Sequence, residues 1–131
     1  GHAGSLAPGK SRFSALSPTI VFDGHKPFLV LGAPGATYIT MGNLQAMLNA
    51  IDFGMDAQQA VSAPRFAAVS DTIEISNRIL RGTEASLREM GYRTMRHPYG
   101  YTFAWVHMLR YANGTIDGGA DPATDGMWMG V

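Results

Sequence analysis

Two short apolar runs begin the regular part of the chain. Residues 19–22 and 28–31 are rich in β-branched and aromatic side chains, and Asp23-Gly24 between them is a strong turn signal. This pattern predicts a β-hairpin. Both runs are continuously apolar instead of alternating, which predicts strands that are covered on both faces. Residues 1–17 lack any apolar period and predict a loop.

Three helices are predicted after this hairpin. Gly and Pro at 32–36 end the second strand, and Thr40 is the predicted N-cap of a helix that stops at Gly54. Its predicted apolar face recurs at three- and four-residue steps and consists of Met41, Leu44, Leu48 and Ile51. Asp56 and Gln59 form a capping-box pattern for a second helix, which ends before Pro64. A third helix is predicted over 83–90 and closed by Gly91.

The remaining pattern predicts more strands. Residues 71–75 alternate, 92–95 predict a short strand, 103–109 are apolar and aromatic, and Asn113-Gly114 predicts a second hairpin. The tail from 118 to 131 predicts a loop. Because strands and helices do not follow a βαβ alternation, the sequence predicts an α+β fold with largely antiparallel strands.

Composition narrows the function classes. Apolar residues make up 46% of the 131 residues and charged residues 15%, so the chain predicts a single domain, or part of one, with an unusually bare surface. Ten basic and ten acidic side chains give no basic stripe, which excludes nucleic acid as an expected partner. No apolar run is long enough for a membrane span and no secretion leader is visible. Residues 1–6 are either a cloning remnant or a native loop.

Most familiar catalytic patterns are missing. The chain has no Cys, and its four His residues show no ligand spacing, so we expect no metal site. Asp121 and Asp125 are more readily interpreted as turn residues than as an acid–base pair. Two loops remain as candidates. Residues 32–37 could bind an oxyanion through adjacent backbone N–H groups, although a plain strand-to-helix turn is the simpler interpretation. Residues 14–18 could bind a carboxylate or only open a turn.

Taken together, these segments resemble the γ-glutamyltranspeptidase family. The resemblance covers nearly the whole chain from about Ala7 and is carried by several motifs in order. They are PGK at 8–10, FSALSPTIV at 13–21, KPFLV at 26–30, GAPG at 32–35, LNAIDFGM at 48–55, AVSAPRF at 60–66, GGADP at 118–122 and DG at 125–126. The matched part is the C-terminal portion of the family's small subunit.

The resemblance implies an N-terminal-nucleophile hydrolase, in which a threonine freed by self-cleavage attacks a γ-glutamyl amide. That threonine lies upstream of the matched part, so this chain alone is expected to be inactive. Ser14 and Ala15 match the pair that binds the substrate α-carboxylate. Gly35 and Ala36 match the Gly-Gly pair of the oxyanion hole. Ala15 and Ala36 depart from the family's usual serine and glycine.

The resemblance also implies the rest of the expected picture. The fold should be part of a four-layer αββα sandwich, with no metal and no organic cofactor. Expected partners are a γ-glutamyl small molecule or peptide and either the rest of the precursor or a second copy. The family's location is periplasmic or extracellular. Two alternatives stay open: an acylase acting on another acyl group, and a non-catalytic binding or assembly module.

Overall fold

A computed structural model describes residues 4–130 and has the predicted α+β architecture. A large four-stranded sheet has the order β1-β2-β6-β7, with every neighbouring pair antiparallel. A small three-stranded sheet has the order β3-β4-β5. The elements are β1 Thr19–Asp23, β2 Lys26–Gly32, α1 Ile39–Ile51, α2 Ala57–Ser62, β3 Phe66–Ala67, β4 Ile73–Ile75, α3 Arg81–Glu89, β5 Thr94–Arg96, β6 His107–Ala112 and β7 Thr115–Ala120, with 3₁₀ turns at Ala36–Tyr38 and Gly100–Thr102.

Both predicted hairpins are confirmed. Strands β1 and β2 pair through a two-residue turn in which Gly24 has a φ of +59°. Asn113 and Gly114, which join β6 to β7, both have positive φ (53° and 78°), as a type I′ turn requires. The tail prediction was wrong at its start, because β7 continues to Ala120.

Helix α1 was predicted in the right place with the wrong buried face. It begins at Ile39 after a 3₁₀ turn, so Tyr38 and not Thr40 is its N-cap. Its buried positions are Ile39, Gly42, Asn43, Ala46 and Ala50. Leu44, Leu48 and Ile51 are instead 41–49% exposed. Small side chains face inward because the helix lies very close to the segment before β6: a Cβ at Gly42 would lie 2.8 Å from that of Ala104.

Helix α2 has the predicted capping box and is held against β7. The Asp56 carboxylate accepts from the Gln59 N–H at 2.7 Å, and the Gln59 side chain accepts from the Asp56 N–H at 3.1 Å. The Ala57 N–H donates to Asp117 at 3.0 Å, and Arg110 pairs with the same carboxylate. Burial by itself raises the pKa of Asp117, but these hydrogen bonds outweigh it and lower that pKa.

The small sheet contains the least predictable elements. Strand β3 was missed, β5 is shifted from 92–95 to 94–96, and α3 begins two residues before its predicted start. Strands β4 and β5 are parallel, the one exception to antiparallel pairing among the described strands. The Arg96 guanidinium donates to the Ser76, Asn77 and Ile79 carbonyls and pairs with Glu84. The hydrogen bond from Arg96 lowers the pKa of Glu84.

The core lies on one face of the large sheet only. Helices α1 and α2 cover the face that carries Leu29, Leu31 and Met108. The prediction that both faces of the first hairpin are covered is wrong for residues 4–130. The opposite face, which we call the open face, carries exposed apolar side chains: Ile20, Val30, Leu109, Tyr111 and Ile116. Part of it is crossed by the tail, where Trp128 lies against Gly118.

Candidate active site

Two loops that flank the first hairpin meet around one cavity of about 260 Å³. Ser14 and Ala15 come from the loop before β1, while Gly35 and Ala36 come from the loop after β2. Because β1 and β2 are antiparallel neighbours, the start of β1 and the end of β2 lie at the same edge of the sheet. The fold therefore brings all four residues singled out in the sequence to one place.

The loop that carries Ser14 presents donors to this cavity. The Ser14 hydroxyl oxygen accepts a 3.3 Å hydrogen bond from the Leu16 N–H, which leaves its proton available to a ligand. The Ala15 N–H has no acceptor among residues 4–130. Buried Asn43 of α1 fixes the loop, because its amide donates to the Ser17 carbonyl at 2.8 Å.

Gly35 is required at its position for two reasons. Its φ of +146° belongs to a backbone conformation that residues with a Cβ rarely adopt. An added Cβ would also lie 2.6 Å from the Ala104 Cα and 2.8 Å from the Ala104 Cβ. The Trp105 N–H donates to the Pro34 carbonyl at 3.1 Å, so the segment around Ala104 is joined directly to this loop.

Ala36 stands where the resemblance leads one to expect glycine, and it adopts a backbone conformation that favours glycine. Its φ is +50°, in the left-handed region that alanine enters at a cost of about 1–2 kcal/mol. The Gly35 and Ala36 N–H groups have no acceptor in the described part of the chain. They lie at the start of the 3₁₀ turn that leads into α1, where backbone N–H groups are unpaired and the local potential favours negative charge. Two consecutive free donors suit an oxyanion.

The sequence analysis missed Arg12, which lines the same cavity. Its Nε donates to the neighbouring Phe13 carbonyl at 3.2 Å. None of the residues that line the cavity is acidic, so the guanidinium gives it a net positive charge. A basic residue two positions before Ser14 was visible in the sequence, but nothing local indicated that it faces this cavity.

A second unpredicted feature involves Tyr38, at the end of the 3₁₀ turn that follows Gly35. The Tyr38 hydroxyl donates to Glu74 Oε2 at 2.8 Å, and His97 Nε2 lies 2.6 Å from the same oxygen. Glu74 is only 7% exposed. The hydrogen bond to Glu74 raises the pKa of Tyr38. Both the Tyr38 and His97 rings contact Phe103 edge-on, with centroids 5.8 and 5.5 Å apart. We call Tyr38, Glu74 and His97 the Glu74 cluster.

Arg65 and Asp121, which belong to two separate sequence motifs, are in direct contact. The two side chains form a buried ion pair, and Arg65 donates to the Ala104 carbonyl at 3.0 Å. The other Asp121 oxygen accepts from the Ala123 N–H at 2.8 Å. Asp121 is thus the turn residue that its sequence context predicted, and the pair fixes the segment that presses on Gly35.

Residues 4–130 show neither a metal-binding cluster nor a membrane-spanning helix. No group of three or more His, Asp or Glu side chains lies close enough to hold a metal ion. None of the described helices combines the length and apolar character needed to cross a bilayer.

Comparisons with known proteins agree on the relatives of this chain. The family model for gamma-glutamyltranspeptidase matches residues 1–131. A glutathione hydrolase proenzyme from Bacillus subtilis (strain 168) is 30% identical over 132 residues, covering 100% of this chain and 22% of the proenzyme. The chain therefore spans about a fifth of that relative's length.

Solved structures give the same result. A gamma-glutamyltranspeptidase from Pseudomonas nitroreducens, in complex with L-DON, superposes with a TM-score of 0.83 at 28% identity over 99% of this chain and 69% of that chain. A cephalosporin acylase from Bacillus halodurans superposes with a TM-score of 0.85 at 25% identity over 97% of this chain and 25% of its own.

Proposed function

This chain belongs to the γ-glutamyltranspeptidase family, and from that premise we propose that the protein containing it transfers γ-glutamyl groups from amides to water or to an amine. A nucleophilic threonine hydroxyl, outside the matched part, adds to the amide carbonyl. The tetrahedral intermediate expels the amine, which takes a proton, and leaves a γ-glutamyl ester. Water or an acceptor amine then attacks this ester and releases the threonine. The convergence of Ser14, Ala15, Gly35 and Ala36 on one cavity carries this proposal.

The two loops have separate roles in this proposal. The Gly35 and Ala36 N–H groups donate to the carbonyl oxygen as it becomes an oxyanion. The Ser14 hydroxyl and Ala15 N–H bind the α-carboxylate of the γ-glutamyl group. Arg12 lines the same cavity and adds a positive charge, which favours an anionic substrate.

A second candidate is an acylase that acts on a different acyl group. The close superposition on a cephalosporin acylase supports it, and so does the loss of a hydroxyl at Ala15. The reaction would be the same acyl transfer through the same oxyanion donors. What separates the two candidates is whether the substrate needs an α-carboxylate.

We also propose that the rest of the longer protein covers the open face. Its exposed aliphatic and aromatic side chains would otherwise meet water across several neighbouring strands. The relatives of this chain are several times longer, so they contain chain that can do this. In the absence of that part, a second copy of this chain is the expected occupant.

Substitution of Ser14 tests the carboxylate site. Ser14→Ala removes one hydrogen bond to a charged group, worth about 1.5–3 kcal/mol, so kcat/KM should fall roughly ten- to a hundred-fold. Arg12→Gln should act in the same direction. The assay compares a γ-glutamyl anilide with the matching anilide that lacks the α-carboxylate, using the full protein. Only the first substrate should be affected.

The control is Ser11→Ala, a hydroxyl in the same loop that does not line the cavity. This substitution should leave kcat/KM unchanged for both substrates. Equal losses on both anilides after Ser14→Ala, with a lowered Tm, would make Ser14 a turn residue and reject the carboxylate site. If Ser14→Ala leaves kcat/KM unchanged for both substrates, the acylase alternative is favoured.

A further inference from the structure

The 3₁₀ turn at Ala36–Tyr38 holds a strained residue at its first position. Alanine prefers right-handed backbone conformations, yet Ala36 has a φ of +50°. Such a conformation persists only where the surroundings impose it. The contacts that impose it must therefore reach the turn from outside, because the turn's own hydrogen bonds also form in the ordinary right-handed arrangement.

Two outside restraints hold the first half of the loop. Ala104 presses against Gly35, and the Trp105 N–H bonds to the Pro34 carbonyl. Beyond the turn, α1 is fixed in the core by buried Ile39 and by the close approach of Ala104 to Gly42. None of these contacts acts on the side chain of Tyr38, the last residue of the turn itself.

The Glu74 cluster supplies the missing restraint. Tyr38 is the last residue of the turn, and its hydroxyl bonds to a carboxylate on β4, the central strand of the small sheet. Because Glu74 is buried on a strand paired on both sides, it is a fixed anchor. His97 orients that carboxylate through the same oxygen, and the His97 N–H of the backbone donates to the Ile75 carbonyl at 2.9 Å.

We infer that Glu74, acting through Tyr38 and supported by His97, is a positioning residue that fixes the direction of the oxyanion-hole N–H groups. The inference rests on the proposed role of Gly35 and Ala36. None of the three side chains lines the cavity that Ser14 and Gly35 share. Their effect is to hold Tyr38, the last residue of the turn, and thereby to keep Ala36 in the left-handed conformation, so that the Gly35 and Ala36 N–H groups stay aligned before the reaction begins.

Kinetics on the full protein give the first test. Tyr38→Phe keeps the ring against Phe103 and removes only the hydroxyl, while Glu74→Gln keeps the shape and removes the charge. Each should lower kcat on a γ-glutamyl anilide by about ten- to a hundred-fold, with KM unchanged, because small misalignment of donors has this effect. Tyr92→Phe is the matched control and should leave kcat unchanged, because Tyr92 is exposed, lies outside the open face and has no hydroxyl partner among residues 4–130.

A double variant separates positioning from general stability. Glycine enters the left-handed region at no steric cost, so Ala36→Gly should recover a large part of the kcat lost in Tyr38→Phe. A merely structural role for Tyr38 predicts no recovery, since Ala36→Gly restores none of its contacts. Unchanged kcat in folded Tyr38→Phe and Glu74→Gln would overturn the inference.

Hydrogen exchange tests the inference without any activity. In the peptide that covers residues 33–40, Tyr38→Phe and Glu74→Gln should speed amide exchange about tenfold, while Tyr92→Phe should not. If the protein proves inactive on γ-glutamyl anilides, this result still decides the positioning role. Equal exchange in all variants would reject it, whatever the outcome for the proposed function.

Discussion

Gly32, the last residue of β2, and Gly35, in the loop that follows, lie three residues apart and should respond to alanine very differently. A Cβ at Gly35 would overlap Ala104, and its φ of +146° is closed to alanine, whereas a Cβ at Gly32 meets nothing within 4 Å. Gly35→Ala should therefore destabilise the protein by about 3 kcal/mol or more. It should also lower kcat by about a hundredfold or more, because the donors move. Gly32→Ala should be almost neutral.

Thermal unfolding and kinetics on the full protein measure both effects. If Gly32→Ala and Gly35→Ala lower the Tm equally, the close approach of Ala104 to Gly35 does not exist in solution. A stable Gly35→Ala protein with full activity would contradict the assignment of the oxyanion hole as well.

The sequence motifs singled out four residues but did not predict their conformations. Ser14, Ala15, Gly35 and Ala36 were picked out by resemblance, and the structure brings them to one cavity. Physical reasoning alone favoured a plain turn at 32–37. Arg12 and Glu74 could not be found, because their positions depend on contacts between segments far apart in the chain.

Two substitutions in helix α1 test which of its faces is buried. Its inward face is made of small residues, so Ala46→Leu should force a larger side chain into a packed layer and cost about 1–3 kcal/mol or more. Leu48→Ala should cost less than about 1 kcal/mol, because Leu48 is 41% exposed. Urea unfolding of the two variants measures the difference. If Leu48→Ala lowers the free energy of unfolding more than Ala46→Leu does, the apolar face predicted from the sequence is the buried one.

The reason for that wrong face is physical. Hydrophobic periodicity identifies the stripe with the largest apolar side chains, but a helix that lies close to a sheet buries small ones. The same pattern predicted both hairpins and the capping box correctly, since turns and caps depend on residues that are adjacent in sequence. Strand β3, with two residues, is too short for any periodic signal.

For the molecule as a whole, the open face leads to a prediction about association. This chain in isolation should self-associate and bind an apolar dye, because Val30 and Leu109 are exposed on neighbouring strands. Val30→Lys combined with Leu109→Glu places opposite charges at a directly paired position and should weaken both behaviours. Sedimentation velocity and dye fluorescence provide the measurements.

Leu6→Lys is the control, because Leu6 is fully exposed in the N-terminal loop and lies on no sheet. It should leave association unchanged. A wild-type chain that is a compact monomer without dye binding would contradict the prediction, as would equal association in all variants. The continuous apolar runs of the first hairpin predicted two covered faces, and residues 4–130 cover only one of them.

The contact between Gly35 and Ala104 also has a consequence for how the protein is made. The cavity loops flank one hairpin and can approach each other early, but the residue that presses on Gly35 is translated roughly 70 residues later, about 4–14 s at ordinary elongation rates. During that interval both loops can form without the contact that fixes Gly35. A nascent chain released before Ala104 is made would therefore lack the packing that surrounds Gly35.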